Sequence, residues 1–207
     1  MFDFALIIPC YNETKRLGDS FEKIQRYFSA EPYFKNLQTA VIFVDDGSSD
    51  QTYELMKSLE SRSTDNFNFL ACRHEVNQGK GAAIKTGARR VEARNYGFID
   101  ADLAYPLELI PKMVAGLAEF DLVIGERTFS INPNSQNKIR KTISFLLQRL
   151  VAFLLGHKIA DTQCGFKFFS KQVRDQTLLP TTKDRFRSTL SFWRWPKAIT
   201  TGSKACP

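Results

Sequence analysis

Short apolar runs recur through the first two-thirds of the chain. Each run leads into a polar or helix-forming stretch. Residues 4–8 (FALII), 40–44 (AVIFV), 67–72 (FNFLAC), 96–99 (YGFI) and 122–124 (LVI) read as buried strands. Between them, residues 19–28, 50–62, 81–94 and 106–118 carry apolar side chains at helical spacing, and Pro106 stands where a first helical turn tolerates proline. In the third of these stretches Ala82, Ala83 and Ala88 are small enough for close packing on a sheet. Strands alternating with helices of this length predict an α/β fold with a mostly parallel sheet covered on both faces. No internal repeat or low-complexity segment interrupts the pattern.

The 207 residues, 43% hydrophobic and 25% charged, suffice for one domain with a substantial core, which excludes collagen-like, disordered and disulfide-scaffold classes. Cys10, Cys72, Cys164 and Cys206 lie far apart without metal-knuckle or thioredoxin spacing, so reduced thiols and a cytoplasmic setting are expected. The opening MFDFALIIPC reads as neither signal peptide nor membrane span, and the apolar stretch at 143–155 is broken by Gln148 and Arg149. The net charge of +7 is concentrated: residues 180–207 carry +5, leaving +2 for the rest. A basic groove for nucleic acid is therefore not expected.

In a sheet of this kind ligands bind beyond the carboxyl ends of the strands. Three polar clusters fall there: residues 9–13 (PCYNE), 45–50 (DDGSSD) and 100–102 (DAD). Asp100 and Asp102 can both face one crevice, where a hard cation such as Mg2+ or Mn2+ takes one or two carboxylates plus substrate phosphates; a solvated turn is the plainer alternative. The cluster at 45–50 reads either as a helix cap, with Asp50 a capping candidate, or as a nucleoside contact. Residues 77–81 (NQGKG) open a helix whose glycines and free amides favour an anion, and Lys80 could neutralise a diphosphate, although the Walker pattern is absent. His74 and His157 are too isolated for a metal pair and read as satisfied or solvated. Nothing supports serine or cysteine hydrolase chemistry. Residues 138–156 begin with Lys138, Arg140 and Lys141 and become strongly apolar, which fits a core helix or an interfacial helix with its basic end near lipid phosphates.

Taken together, IIPCYNE at 7–13, VDDGSSD at 44–50, NQGKGAA at 77–83, DADLAYP at 100–106, IGER at 124–127 and DTQCGFKFF at 161–169 resemble the family-two inverting glycosyltransferases of GT-A fold. The likeness is greatest to the polyprenyl-phosphate sugar transferases, dolichyl-phosphate β-glucosyltransferases in particular. It implies that Pro9, Tyr11, Asn12, Glu13 and Asp46 hold the nucleotide, with Asp45 nearby and Lys80 at the diphosphate. It also implies that Asp100 and Asp102 sit at the diphosphate and the Mg2+ or Mn2+ ion, Asp102 being the metal ligand. Arg127 and Arg140 match basic positions that meet the acceptor phosphate, and Asp161, Gln163 and Lys167 lie in the motif on the acceptor side. Where related mannosyltransferases place a glutamine, this chain has Ala104, a departure that bears on the donor sugar.

The resemblance implies sugar transfer, with glucose from UDP-glucose the expected case, to a polyprenyl phosphate on the cytoplasmic membrane face, through peripheral contact. Negative charge develops on the leaving diphosphate, where cations stabilise it. The acceptor phosphate is already anionic, so a general base is optional. Alternatives are transfer to a saccharide hydroxyl and a nucleotide-sugar-binding protein without turnover. Residues 1–182 are read as the transferase domain and 183–207 as an atypical basic tail without regular structure. Relatives resemble RFAFDVELL where this chain has RFRSTLSFWRW. A shifted frame over residues 187–197 permits that family segment, so the C-terminus is read as frameshifted or truncated, which bears on activity.

Overall fold

The protein is described from a computed structural model, which covers residues 1–126, 164–180 and 198–202. Arg127, Arg140, Asp161, Gln163, His157 and the stretch at 138–156 lie outside the described residues.

The strands β1 (Phe2–Cys10), β2 (Thr39–Asp45), β3 (Phe67–Arg73), β4 (Ala93–Ile99) and β5 (Leu122–Glu126) enclose the five apolar runs. Two more strands complete the sheet, β6 (Phe166–Ser170) and β7 (Ala198–Gly202), in the order β3-β2-β1-β4-β6-β5-β7. The pairs β3–β2, β2–β1, β1–β4 and β5–β7 are parallel, whereas β6 runs antiparallel between β4 and β5. Strand β7 departs from the expectation of a tail without regular structure. Ile199, Thr200 and Thr201 are β-branched, and the segment pairs along β5 from Leu122 to Glu126.

The helices are α1 (Thr14–Ala30), α2 (Thr52–Leu59), α3 (Lys80–Arg90), α4 (Ile110–Gly116) and the short α5 (Lys171–Val173), which continues as a π turn over Arg174–Leu178. The stretch expected to stay helical to residue 94 ends sooner, because Ala93 already begins β4. Phe21 of α1 packs on Phe43 and Phe69 at 6.2 and 4.5 Å between ring centroids. Side chains alternate along a strand, so Val44 and Ile7 point the other way, towards α3. There Gly87 lets the helix approach until a Cβ would meet Ile7 Cγ2 at 2.6 Å. Helices thus cover both faces. Residues 4–8 are buried on either side, which explains why their run is continuous rather than alternating.

From β1 the chain steps outward through β2 to β3, then α3 returns it across the sheet to β4 on the opposite side of β1. The loops following β1 and β4 therefore diverge, and a crevice opens between them.

Candidate active site

A cleft of about 430 Å3 occupies that crevice. The end of β1 supplies Pro9 and Cys10, the loop after it Tyr11 and Glu13, the first turn of α1 Arg16, and the loop after β2 Asp46. Asn77 and Gly79 come from the loop leading into α3 and Lys80 is its first residue, while Asp100, Ala101 and Asp102 follow β4.

The first wall is knitted by side chains reaching backbone. Asn12 adopts φ 55°, a left-handed conformation that asparagine tolerates, and its N–H donates to Ser48 Oγ at 2.8 Å. Its Oδ1 accepts from the Ser49 N–H at 3.0 Å, so this residue staples the two loops together rather than lining the cleft. The Glu13 N–H donates to Thr52 Oγ1 at 2.8 Å, and the Glu13 carboxylate forms a two-pronged pair with Arg16. Asp50 accepts from the N–H groups of Thr52 and Thr14. Burial opposes its ionisation, but hydrogen bonds from Thr52 and Thr14 outweigh that and hold its carboxyl at about 2. Asp50 is thus not itself the N-cap residue, a place held by Gln51 in α2, but its carboxylate accepts from the first N–H of both α1 and α2.

Asp45 and Asp46 are both buried, at 0% and 4% exposed. Asp45 accepts from the Ser48 N–H and faces Arg73 Nε at 3.3 Å, turned away from the cleft. Asp46 accepts the N–H groups of Gln78 at 2.9 Å and Gly79 at 2.8 Å, and lies 2.8 Å from His74 Nδ1. The anion met by these amides at the start of α3 is the protein's own carboxylate, not a ligand as the sequence suggested. The other ring nitrogen of His74, Nε2, lies 2.8 Å from Thr86 Oγ1, so both ring nitrogens have a partner. His74 is therefore the satisfied histidine anticipated above. Gly47, at φ +73°, closes the arrangement: a Cβ there would meet the backbone of Val76 and Asn77 at 2.6 Å.

The second wall offers free carboxylate oxygen. Asp100 forms an ion pair with Lys80, whose ammonium also lies 5.7 Å from the Phe98 ring centre. Asp102 is exposed, accepts only the Ala104 N–H at 3.1 Å, and has no ion-pair partner among the described residues. Two carboxylates at the mouth of a cleft form an all-oxygen donor set, which fits a hard divalent cation completed by phosphate oxygens. Among the described residues no group of three or more His, Cys, Asp or Glu converges, so these two aspartates are the described residues' share of such a site.

Cys10 lines the cleft, but burial, with the charges of Glu13 and Asp45, pushes its thiol far up; it remains protonated and is no nucleophile. Lys167, expected on the acceptor side, is instead enclosed at 1% exposed, its ammonium 5.5 Å from the Phe98 ring centre. The register explains this: Lys167 pairs with Phe98 across β4 and β6, on a covered face of the sheet. Arg16 was missed by sequence reasoning, although its place one helical turn after Glu13 signals the pair. Among the described residues, no helix is long and apolar enough to cross a membrane.

Comparison with known proteins follows the same residues. The family described as "Glycosyl transferase family 2" matches residues 5–178. A dolichyl-phosphate beta-glucosyltransferase of Trichomonas vaginalis is 31% identical over 175 residues, covering 81% of this chain and 53% of its own. An undecaprenyl-phosphate 4-deoxy-4-formamido-L-arabinose transferase of Klebsiella pneumoniae is 29% identical over 175 residues, covering 84% of this chain and 50% of its own. The chain thus spans about half the length of the curated relatives it matches. Among solved structures, a mannosyltransferase from Pyrobaculum calidifontis in complex with GDP-Man and Mn2+ superposes with a TM-score of 0.64 at 17% identity, over 98% of this chain and 57% of that one. At that identity the likeness concerns the fold.

Proposed function

The chain belongs to glycosyl transferase family 2, and on that premise we propose that it transfers a sugar, glucose from UDP-glucose, to a polyprenyl phosphate with inversion. The observation that carries this reading is the meeting of Asp100, Asp102 and Lys80 at the switch point of the sheet. Phosphate-bearing ligands bind at such a point, and a developing diphosphate charge needs cations there. The relatives named above, whose names carry dolichyl and undecaprenyl phosphate, support the acceptor class.

In this reading the nucleoside lies along the first wall, where Tyr11 is half exposed and Asp46 is held by the Gln78 and Gly79 N–H groups and by its contact with His74. Asn12 and Asp45 serve that wall from behind, as loop staple and buried anchor. Asp102 would hold Mg2+ or Mn2+ with help from Asp100, and the cation would supply charge stabilisation to the departing diphosphate. Lys80, the first residue of α3 and one-third exposed in the cleft, adds a second positive charge to the same phosphates. The acceptor is an anion at neutral pH, so the site needs cations that position it without abstracting a proton. Arg127 and Arg140 are assigned to that task from the sequence, with Asp161 and Gln163 on the same side. The stretch at 138–156 would make peripheral contact with the cytoplasmic face of the membrane.

Calorimetric titration with UDP-glucose, GDP-mannose and UDP, each with and without Mn2+, tests the proposal. Metal-dependent binding of UDP-glucose, weakened about a hundredfold in Asp102→Ala, is expected. Failure of a folded protein to bind any of the three would overturn the donor assignment.

A further inference from the structure

The segment Cys164–Gly165–Phe166 belongs to the motif at 161–169, yet it lines no part of the cleft. It lies directly behind the Asp100 loop. The Asp100 N–H donates to the Gly165 carbonyl at 3.2 Å, where β6 begins its antiparallel run beside β4. A Cβ built on Gly165 would collide with Asp100 Oδ2 and Cγ and come within 2.8 Å of Oδ1. Backbone conformation does not demand this glycine. Among the described residues the glycines with positive φ are Gly47 and Gly79, so position 165 needs the missing side chain for space alone.

The same segment grips the far end of the loop. Cys164 is fully buried, and its Sγ donates to Tyr105 Oη at 3.0 Å. Tyr105 in turn stacks on Phe166, with ring centroids 5.0 Å apart and planes 13° from parallel. Between these two holds the loop passes through Leu103 at φ 50°, an unfavourable conformation for leucine that persists only where the surroundings enforce it.

We propose that Gly165 is a positioning residue for Asp100. Its bare backbone receives one face of the carboxylate, so that Oδ1 meets Lys80, and the Cys164–Tyr105–Phe166 contact fixes the loop that carries Asp102. The proposal rests on the reading that Asp100 and Asp102 face the diphosphate and its cation. A side chain at 165 would push the Asp100 carboxylate off Lys80 and tilt the loop, and misplacement by an ångström suffices to weaken such a site.

A double-mutant cycle tests the inference, using thermal unfolding together with calorimetric titration of UDP in the presence of Mn2+. Gly165→Ala is expected to lower the melting temperature by about 5 °C and to weaken Mn2+-dependent UDP binding about tenfold or more. In the Asp100→Ala background the obstacle is gone, so adding Gly165→Ala should shift the melting temperature by only about 1 °C. Equal drops in both backgrounds would overturn the proposal, because the glycine would then serve the strand rather than Asp100. Tyr105→Phe keeps the ring stack and removes the hydroxyl; it should weaken the same binding about twofold to threefold with little thermal effect, and a cycle that cannot be read because Gly165→Ala fails to fold is decided by this variant. Unchanged binding in Tyr105→Phe would remove the clip. A coupled cycle in melting temperature, with UDP binding untouched by Asp100→Ala, would instead overturn the placement of Asp100 at the diphosphate, and with it the binding role of Gly165.

Discussion

The two walls of the cleft are built by different means. On the wall formed by the loops after β1, β2 and β3, polar side chains are consumed by architecture: Asn12, Asp45, Asp46 and Asp50 all bond to protein backbone. On the wall formed after β4, the loop is held from behind by close packing on β6, and Asp102 remains exposed. The same residue type therefore does opposite work a few ångströms apart. An aspartate in a cleft is a ligand candidate only to the extent that its oxygens are not already taken.

This contrast can be broken by experiment. The largest effect is expected at Asp46, a buried carboxylate whose replacement by alanine removes the acceptor of the Gln78 and Gly79 N–H groups and the partner of the buried His74. Stability should fall by about 3–5 kcal/mol, measured by denaturant unfolding. A mild effect there would mean that the first wall does not depend on its carboxylate. Asp102→Ala should behave in the reverse manner, losing about a hundredfold in Mn2+-dependent UDP-glucose affinity while the melting temperature stays within about 1 °C of the parent. A large loss of stability in Asp102→Ala would erase the distinction between the walls.

Smaller changes sharpen it. Gly47→Ala forces a Cβ against the Val76–Asn77 backbone at a left-handed φ, and should cost about 2 kcal/mol. The effect should appear first as weaker protection of the Gln78 and Gly79 amides in hydrogen exchange. At Asp50 the expected signature is in pH. Its carboxyl is depressed from the ordinary 3.8 to about 2, so the stability it contributes is present above pH 3.8 and is lost as the pH falls through about 2. Asp50→Ala should therefore differ from the parent near neutrality and converge with it in acid, as followed by unfolding midpoints between pH 5 and 2.

The parallel half of the sheet was legible because burial on both faces writes strands as unbroken apolar runs, as at residues 4–8 and 40–44. The crevice was legible for a related reason: the chemistry-bearing clusters end those runs. Strand β6 escaped because Lys167 interrupts FKFF with a charge that reads as solvent-facing, whereas it pairs with Phe98 and is enclosed. The roles of Asn12 and Asp46 were illegible for another reason. Whether a polar side chain turns to a ligand or to a neighbouring loop depends on contacts some 30 residues away in sequence. Gly165 lay in plain view within its motif, but only the proximity of the Asp100 carboxylate shows what its missing side chain makes room for.

Cys10 stands in the wall of the cleft, yet its thiol is buried, donates to the Ile8 carbonyl at 3.5 Å and is held in the protonated form. Thiolate is what peroxides, maleimides and disulfides attack, and burial withholds it here. Such reagents should therefore leave ligand binding in the cleft unchanged at Cys10, in the parent and in Cys10→Ala alike.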